Sequence, residues 1–446
     1  MHTKLVETEK PIEKALLVAV ELARQKGIWS VEDSLEELRQ LAQTAGAEVV
    51  GIVTQKLAHA SPSHYVGRGK VEEIVELRDK LDYSLVIFDD ELSPMQLRNM
   101  ERELGVKVLD RTGLILDIFS QRARTREGRL QVELAQYEYL LPRLTRQWTH
   151  LSRQFGAFGV RGGPGETQLE VDRRRVRERI TDLKREIEKV RRHRALYRQE
   201  REREGIPVVA LVGYTNAGKS TLLNALTRAG VSAEDRLFDT LDPTTRRIKL
   251  PTGRTILLSD TVGFIQKLPT SVVTAFRATL EELAEADVLM HVLDITHDCG
   301  YEQSQTVAGI LEELGLGGKR VVTVLNKIDR LVDEDRRKQS KEDGNLRSVL
   351  GDAWGPLQEL VSHYPNGVAV SAALGWGLDS LLQRIQSLLQ DDLVDITVRL
   401  PYSAGDLVAL FHEKASITKR SYSKDGLLIR GKITQQLAPL FRKYVV

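Results

Sequence analysis

Hydrophobic residues follow two rhythms along this chain. Residues 15–20, 48–54, 84–88 and 106–109 are short apolar runs, and between them residues 31–45, 70–81 and 93–104 carry apolar side chains at helical spacing. Strands alternating with amphipathic helices predict a parallel α/β domain over residues 1–125. The period then changes. Leu130, Leu134, Tyr137, Leu141, Leu144 and Trp148 step by three and four, as do Leu169, Val176, Ile180, Leu183, Ile187, Val190 and Tyr197 beyond a glycine-rich interval. Each set gives a helix one apolar seam, and two seams close as an antiparallel hairpin over 126–204, with Pro142 breaking or kinking the first helix. Buried-strand runs return at 206–212, 255–259, 321–325 and 367–370, within a domain expected over 205–391. Strand patterns at 395–400, 416–422 and 426–430 and a helical one at 404–414 predict a small α/β domain over 392–446.

Chemistry sits at the C-terminal ends of the runs in the third segment. The first ends at Gly213, followed by Tyr214, Thr215, Asn216, Ala217, Gly218, Lys219, Ser220 and Thr221. That spacing wraps a polyphosphate in backbone N–H groups. Gly218 permits close approach, Lys219 reaches the β/γ oxygens, the Ser220 hydroxyl is placed for Mg2+, and a helix starting at Lys219 adds its N-terminal potential. The second run ends at Asp260, followed by Thr261, Val262 and Gly263. There the carboxylate can hold Mg2+ through water and the Gly263 N–H can sense a γ-phosphate. The third run leads into Asn326, Lys327, Ile328 and Asp329. A carboxylate at Asp329 can accept from the guanine N1–H and N2 amine, a donor pair that adenine lacks. Ser371, Ala372 and Ala373 follow the fourth run and would offer a backbone N–H to guanine O6. GTP and GDP are the ligands expected. Between the first two motifs lies Phe238, Asp239, Thr240, Leu241, Asp242, Pro243, Thr244 and Thr245, where one threonine hydroxyl would reach Mg2+ in the GTP state. The residues alone leave Thr240, Thr244 and Thr245 open.

Composition sharpens the picture of partners. The chain has 446 residues and a net charge of only +2, yet residues 141–204 carry 18 Lys/Arg against 10 Asp/Glu, a local +8 against −6 for the remainder. One basic arm on a nearly neutral chain points to a polyanion. Its glycine-rich tip holds Phe155 and Phe158 between Arg153 and Arg161, suited to stacking on unpaired RNA bases, and Arg173, Arg174 and Arg175 follow. A single cysteine, Cys299, excludes an internal disulfide and fits a reducing cytosol. No apolar run is long enough to span a membrane, so a soluble cytoplasmic monomer is expected. The loop at 64–70 resembles a phosphate-binding turn but lacks the full spacing, and a plain solvated loop is favoured there over a second nucleotide site or an RNA-phosphate contact.

With the guanine motifs, paired helices and glycine-rich tip together, the chain resembles the HflX family of translational GTPases over nearly its whole length. The most specific mark is Gly162-Gly163-Pro164-Gly165-Glu166-Thr-Gln168-Leu169-Glu170-Val-Asp172-Arg173-Arg174, supported by Leu237-Phe-Asp-Thr240-Leu241-Asp242-Pro243. The resemblance implies that Thr240 is the switch threonine on Mg2+ and that residues 238–242 belong to the nucleotide site. It further implies binding to the large ribosomal subunit and its rRNA, with action on stalled or stressed ribosomes by parting the subunits. A nucleotide-controlled assembly or silencing factor is the alternative. After Gly263, many small GTPases place a glutamine that orients water. Here Phe264 stands instead, apolar as in HflX proteins, so hydrolysis should be slow without a partner. Asn216 sits where related potassium-stimulated GTPases hold a monovalent cation, which raises K+ as a second cofactor.

Overall fold

The computed structural model describes residues 12–23, 29–144, 168–227, 237–238, 244–269, 282–334, 337, 346–390, 393–423, 426–434 and 438–446. The chain divides into two compact units, one of residues 1–189 with 236–241 and 266–277, the other of 190–235, 242–265 and 278–446.

In the first unit, β1 (Lys14–Leu22), β2 (Glu48–Leu57), β3 (Leu85–Phe88) and β4 (Lys107–Asp110) form a parallel sheet in the order β2-β1-β3-β4. The connecting helices are α1 (Val31–Thr44), α2 (Arg68–Leu81) and α3 (Pro94–Leu104). Local chemistry starts them where the apolar period begins. Ser30 caps α1, and Ser93 with Gln96 closes a capping box on α3 just ahead of Pro94. The loop at 64–70 departs from the expected solvated turn. Tyr65 and Val66 are buried in the core against the sheet, and Gln55 Oε1 takes the Gly67 N–H at 2.9 Å.

A helix without a counterpart in the sequence pattern follows, α4 (Arg111–Arg122). Thr112, Leu114, Ile115, Leu116, Ile118 and Phe119 are all buried, and the polar face is only the short stripe of Asp117, Ser120 and Gln121. At its N-terminus Arg111 is buried with Glu37 and Asp89. The preceding residue, Asp110, is fully buried and organises the junction. It accepts from Leu92 N at 3.1 Å, Gly113 N at 2.8 Å, the Tyr139 hydroxyl at 2.8 Å and Arg143 at 3.1 Å.

Tyr139 and Arg143 belong to the hairpin. Its first helix, α5 (Arg126–Leu140), gives way to a tight turn at Leu141–Arg143, where Pro142 withholds an N–H. The expected continuation to Leu144 and Trp148 is therefore absent at Leu144, and Trp148 lies outside the described residues. The second helix, α6 (Gln168–Glu204), runs unbroken for 37 residues. Leu130 and Leu134 pack on Ile180 and Leu183, and Arg179 pairs with Glu133 while Arg126 pairs with Glu186, so the two helices run antiparallel.

The second unit is built on a six-stranded sheet in the order β10-β9-β8-β5-β7-β6, from β5 (Val208–Gly213), β6 (Thr244–Lys249), β7 (Thr255–Asp260), β8 (Val288–Asp294), β9 (Arg320–Asn326) and β10 (Val368–Ala369). Only β6 is antiparallel. Around it lie α7 (Lys219–Thr227), α8 (Gly300–Glu313), α9 (Trp354–Ser362) and α10 (Leu378–Gln390). The sequence pattern marked neither β8 nor α8, because a histidine and a terminal aspartate interrupt the apolar run of β8. The C-terminal segment adds an antiparallel sheet, β11 (Leu393–Leu400), β13 (Gly426–Thr434) and β12 (Ser416–Ser423) in that spatial order, with α11 (Gly405–Lys414) and α12 (Ala438–Phe441).

Removing the Asp110 carboxylate would leave Arg143 buried without its closest counter-charge. We predict that Asp110→Ala destabilises the first unit by about 3 kcal/mol in urea melts; an unchanged midpoint would show that this junction contributes nothing.

Candidate guanine-nucleotide site

The four motifs converge at the C-terminal edge of the large sheet, where β5, β7 and β9 end together. Parallel strands direct their closing loops to one side, so residues far apart in sequence meet there. The loop after β5 is pinned before it reaches α7. Thr215 N donates to Phe264 O at 2.8 Å and Phe264 N to Gly213 O at 3.1 Å. Phe264, at the position of the water-orienting glutamine elsewhere, is buried at 2% exposure and serves as this backbone clamp. Tyr214, Thr215 and Ala217 are also buried, whereas Asn216 is exposed with a left-handed backbone, φ +61°.

Lys219 is buried, and its ammonium donates to the Gly213 and Tyr214 carbonyls at 3.1 and 2.7 Å. Burial lowers its pKa to about 8, against the raising influence of Asp260. Next in α7, Ser220 Oγ donates to Asp260 Oδ2 at 2.8 Å, and Thr221 extends the same turn. Hydroxyl and carboxylate oxygens facing each other are the hard donors that Mg2+ prefers. Thr261 turns inward and donates to Leu211 O at 2.6 Å, Val262 is buried, and Gly263 leaves room for the Thr215 and Lys219 side chains.

The base-reading side is tied to the phosphate loop by one side chain. Asn326 Nδ2 donates to Ala217 O at 2.8 Å, and its Oδ1 accepts from Ala372 N at 3.1 Å. A Cβ at Gly218, whose φ is +93°, would run into that Nδ2. The glycine requirement read from the phosphate spacing thus has a second cause inside the protein. Ser371 Oγ donates to Asp329 Oδ1 at 2.6 Å, orienting the carboxylate; Ile328 is fully buried and Ala373 is exposed.

Two residues here, Asp294 and His291, escaped the sequence reading. Lys327, left-handed at φ +66°, is paired with Asp294 at 2.7 Å. Burial opposes the charge on Asp294, but hydrogen bonds from Lys327 and Thr296 prevail and hold its pKa below the usual carboxylate value. His291, on β8, is buried with no hydrogen-bond partner for Nε2 among the described residues; burial and the Lys219 charge lower its pKa to about 4. Nothing but a fixed spacing from the third motif would have marked Asp294, and nothing marks His291.

The remaining expected residues lie outside these four motifs. Thr245 lies on β6 and bonds Ser259 Oγ at 3.3 Å, and Thr244 lies beside it on the same strand. Asp239, Thr240, Leu241 and Asp242 lie outside the described residues, as do Arg153, Phe155, Phe158 and Arg161. Phe238, left-handed at φ +58°, packs edge-on against Phe119 of α4, ring centroids 4.6 Å apart, within the first unit. Lys267, at φ +51°, likewise belongs to the first unit and pairs with Asp89 and Asp90. Arg173 donates to Leu144 O at 2.8 Å within the hairpin, Arg174 approaches Glu178, and Arg175 is half-buried.

Four family models cover the chain in sequence: "GTP-binding GTPase N-terminal" at residues 32–120, "GTP-binding GTPase Middle Region" at 122–201, "50S ribosome-binding GTPase" at 208–327 and "HflX C-terminal domain" at 356–441. A GTPase HflX of Caldanaerobacter subterraneus is 42% identical over 99% of this chain and 95% of its own length. The chain belongs to the HflX family of GTPases. The GTPase HflX of Escherichia coli is likewise 42% identical, over 93% of this chain and 92% of its own. Among solved structures, SsGBP in complex with GDP is 27% identical and aligns over 84% of this chain and 98% of its own with a TM-score of 0.44. This HflX chain is accordingly a GTPase with a P-loop fold, a class that generally uses Mg2+. No helix among its described residues is long and apolar enough to cross a membrane.

The lowered pKa of Lys219 makes phosphate binding pH-dependent. Bound phosphate favours the ammonium form and raises the pKa, so affinity is full below about 8 and falls as free Lys219 deprotonates above it. We expect GDP affinity, measured by calorimetry, to weaken about tenfold between pH 7 and pH 9; a flat profile would show that the ammonium does not gain charge stabilisation from the phosphates.

Proposed function

We propose that this protein is a GTP-hydrolysing factor that binds the large ribosomal subunit and its rRNA through the basic hairpin, and parts the subunits of stalled or stressed ribosomes. The observation that carries it is the site tied by Asn326, whose phosphate loop, Asp260 segment and Asn326 itself lie in residues matching a model described as a 50S ribosome-binding GTPase. In this reading residues 213–221 cradle the phosphates, and Ser220 and Thr240 hold Mg2+. Lys219 stabilises charge on the transferred phosphoryl group and Gly263 reports its presence. Asp329 reads the guanine, with Lys327 and residues 371–373 completing the pocket. The protein acts as a monomer in the cytoplasm. Bond orientation supports the role of Asp329, since Ser371 occupies Oδ1 and leaves the carboxylate aimed. Replacing Asp329 by Asn should shift preference from guanine to xanthine nucleotides in competition binding, and unchanged GTP affinity would remove it from base recognition.

Phe264 favours a partner-dependent reaction. Its buried ring cannot orient water, so the group that does so must come from a ribosome or another segment. A partner that orders the switches should accelerate turnover on the order of 10³-fold. Single-turnover hydrolysis with and without ribosomes tests this, run in both K+ and Na+ because in this reading Asn216, exposed and left-handed, would hold a monovalent cation. No ribosome stimulation would favour the occupancy-controlled assembly or silencing reading, and equal rates in the two salts would dismiss potassium.

A further inference from the structure

One face of the C-terminal sheet is left over after fold and site are accounted for. Strand alternation sends Ile396, Val398, Ile429 and Ile433 into a core completed by Phe411 of α11 and Phe441 of α12. The opposite face of the sheet carries Arg399 on β11, Arg430 and Lys432 on β13, and Lys419 on β12, by the same alternation. Arg399, Arg430 and Lys419 are exposed and Lys432 is half-exposed. Register makes the crowding explicit: Lys419 lies directly opposite Arg430. Like charges so paired destabilise a sheet in isolation. One carboxylate, Asp395, lies opposite Lys432 and offsets a single charge. Arg399, Lys419 and Arg430 form no ion pair among the described residues.

We propose that this face docks on the phosphate backbone of folded RNA. Pleating holds the cations on a rigid grid, about 5 Å apart across strands and about 7 Å along them, a spacing that meets successive backbone charges without ordering a loop. Bound phosphates would relieve the Lys419–Arg430 repulsion, so the free protein's unfavourable contact becomes a gain in the complex. A membrane would call for apolar side chains to insert, and this face offers only half-buried Leu428. An acidic peptide adding to the sheet would use a strand edge, not this face. The choice of RNA among polyanions rests on the ribosomal reading above; the patch itself does not.

The test uses the full chain with Arg399, Lys419 and Arg430 all replaced by Thr, and with Lys419→Thr alone in case the triple variant misfolds. Binding is measured across a salt series to protein-free large-subunit rRNA, to salt-washed large subunits and to phosphatidylserine vesicles. The triple variant should lose about three units of salt slope on rRNA, and the single variant about one. Basal GTP hydrolysis should be unchanged and the melting temperature equal or higher. An rRNA slope equal to that of the wild type would overturn the proposal. So would a loss confined to vesicles, or a loss on subunits with none on bare rRNA, which would point to a ribosomal protein. A wild-type chain that ignores intact subunits yet binds rRNA through these residues would sink the ribosomal reading and leave this one standing.

Discussion

The nucleotide site depends on what one buried amide does with both of its ends. Asn326 donates to the phosphate loop at Ala217 and accepts from Ala372, so three loops from three strand ends share a single side chain. A carboxylate there could not donate to Ala217, and a hydrophobe could do neither, leaving two buried backbone groups unpaired. The tie also sets the spacing of the pocket. Triphosphate and base lie at opposite ends of one ligand, and the protein must hold their two cradles at a fixed separation before the ligand arrives.

Around that tie, among the described residues, one buried cation, Lys219, lies against the loop after β5. Lys219 leans on two backbone carbonyls, a partial compensation for an ammonium taken out of water. His291 stays neutral nearby and does not compete. On the base side the other lysine, Lys327, is neutralised by Asp294 and held in an unusual backbone conformation. The two lysines of the site therefore differ, one resting on backbone carbonyls and the other paired with a carboxylate.

Sequence reveals such a site because its demands are local and exact in spacing. A loop that cradles phosphate needs its glycines and lysine at set offsets, and the strand before it must be buried, so residues 206–221 could be read directly. Asp294 and His291 could not, because what marks them, the pairing of Asp294 with Lys327 and the burial of His291 near Lys219, exists only in the fold. The N-terminal parallel sheet was readable from alternating periods, whereas α4 was hidden because most of its side chains are buried and its polar stripe, Asp117, Ser120 and Gln121, is narrow. Tyr65 and Val66 show the reverse error: a loop with glycines and charges looked solvated, yet two of its side chains fill the core. The Phe238 ring packs on Phe119, a contact that no local pattern encodes.

Asp110 has a mechanical meaning for the arm. Tyr139 and Arg143 leave the end of the first hairpin helix and grip the same carboxylate that receives the N–H groups of Leu92 and Gly113. Sheet and hairpin root are riveted together at a point sealed from water, where the fastening is not screened by salt. Whatever pulls on the arm therefore pulls on the whole N-terminal unit as one handle.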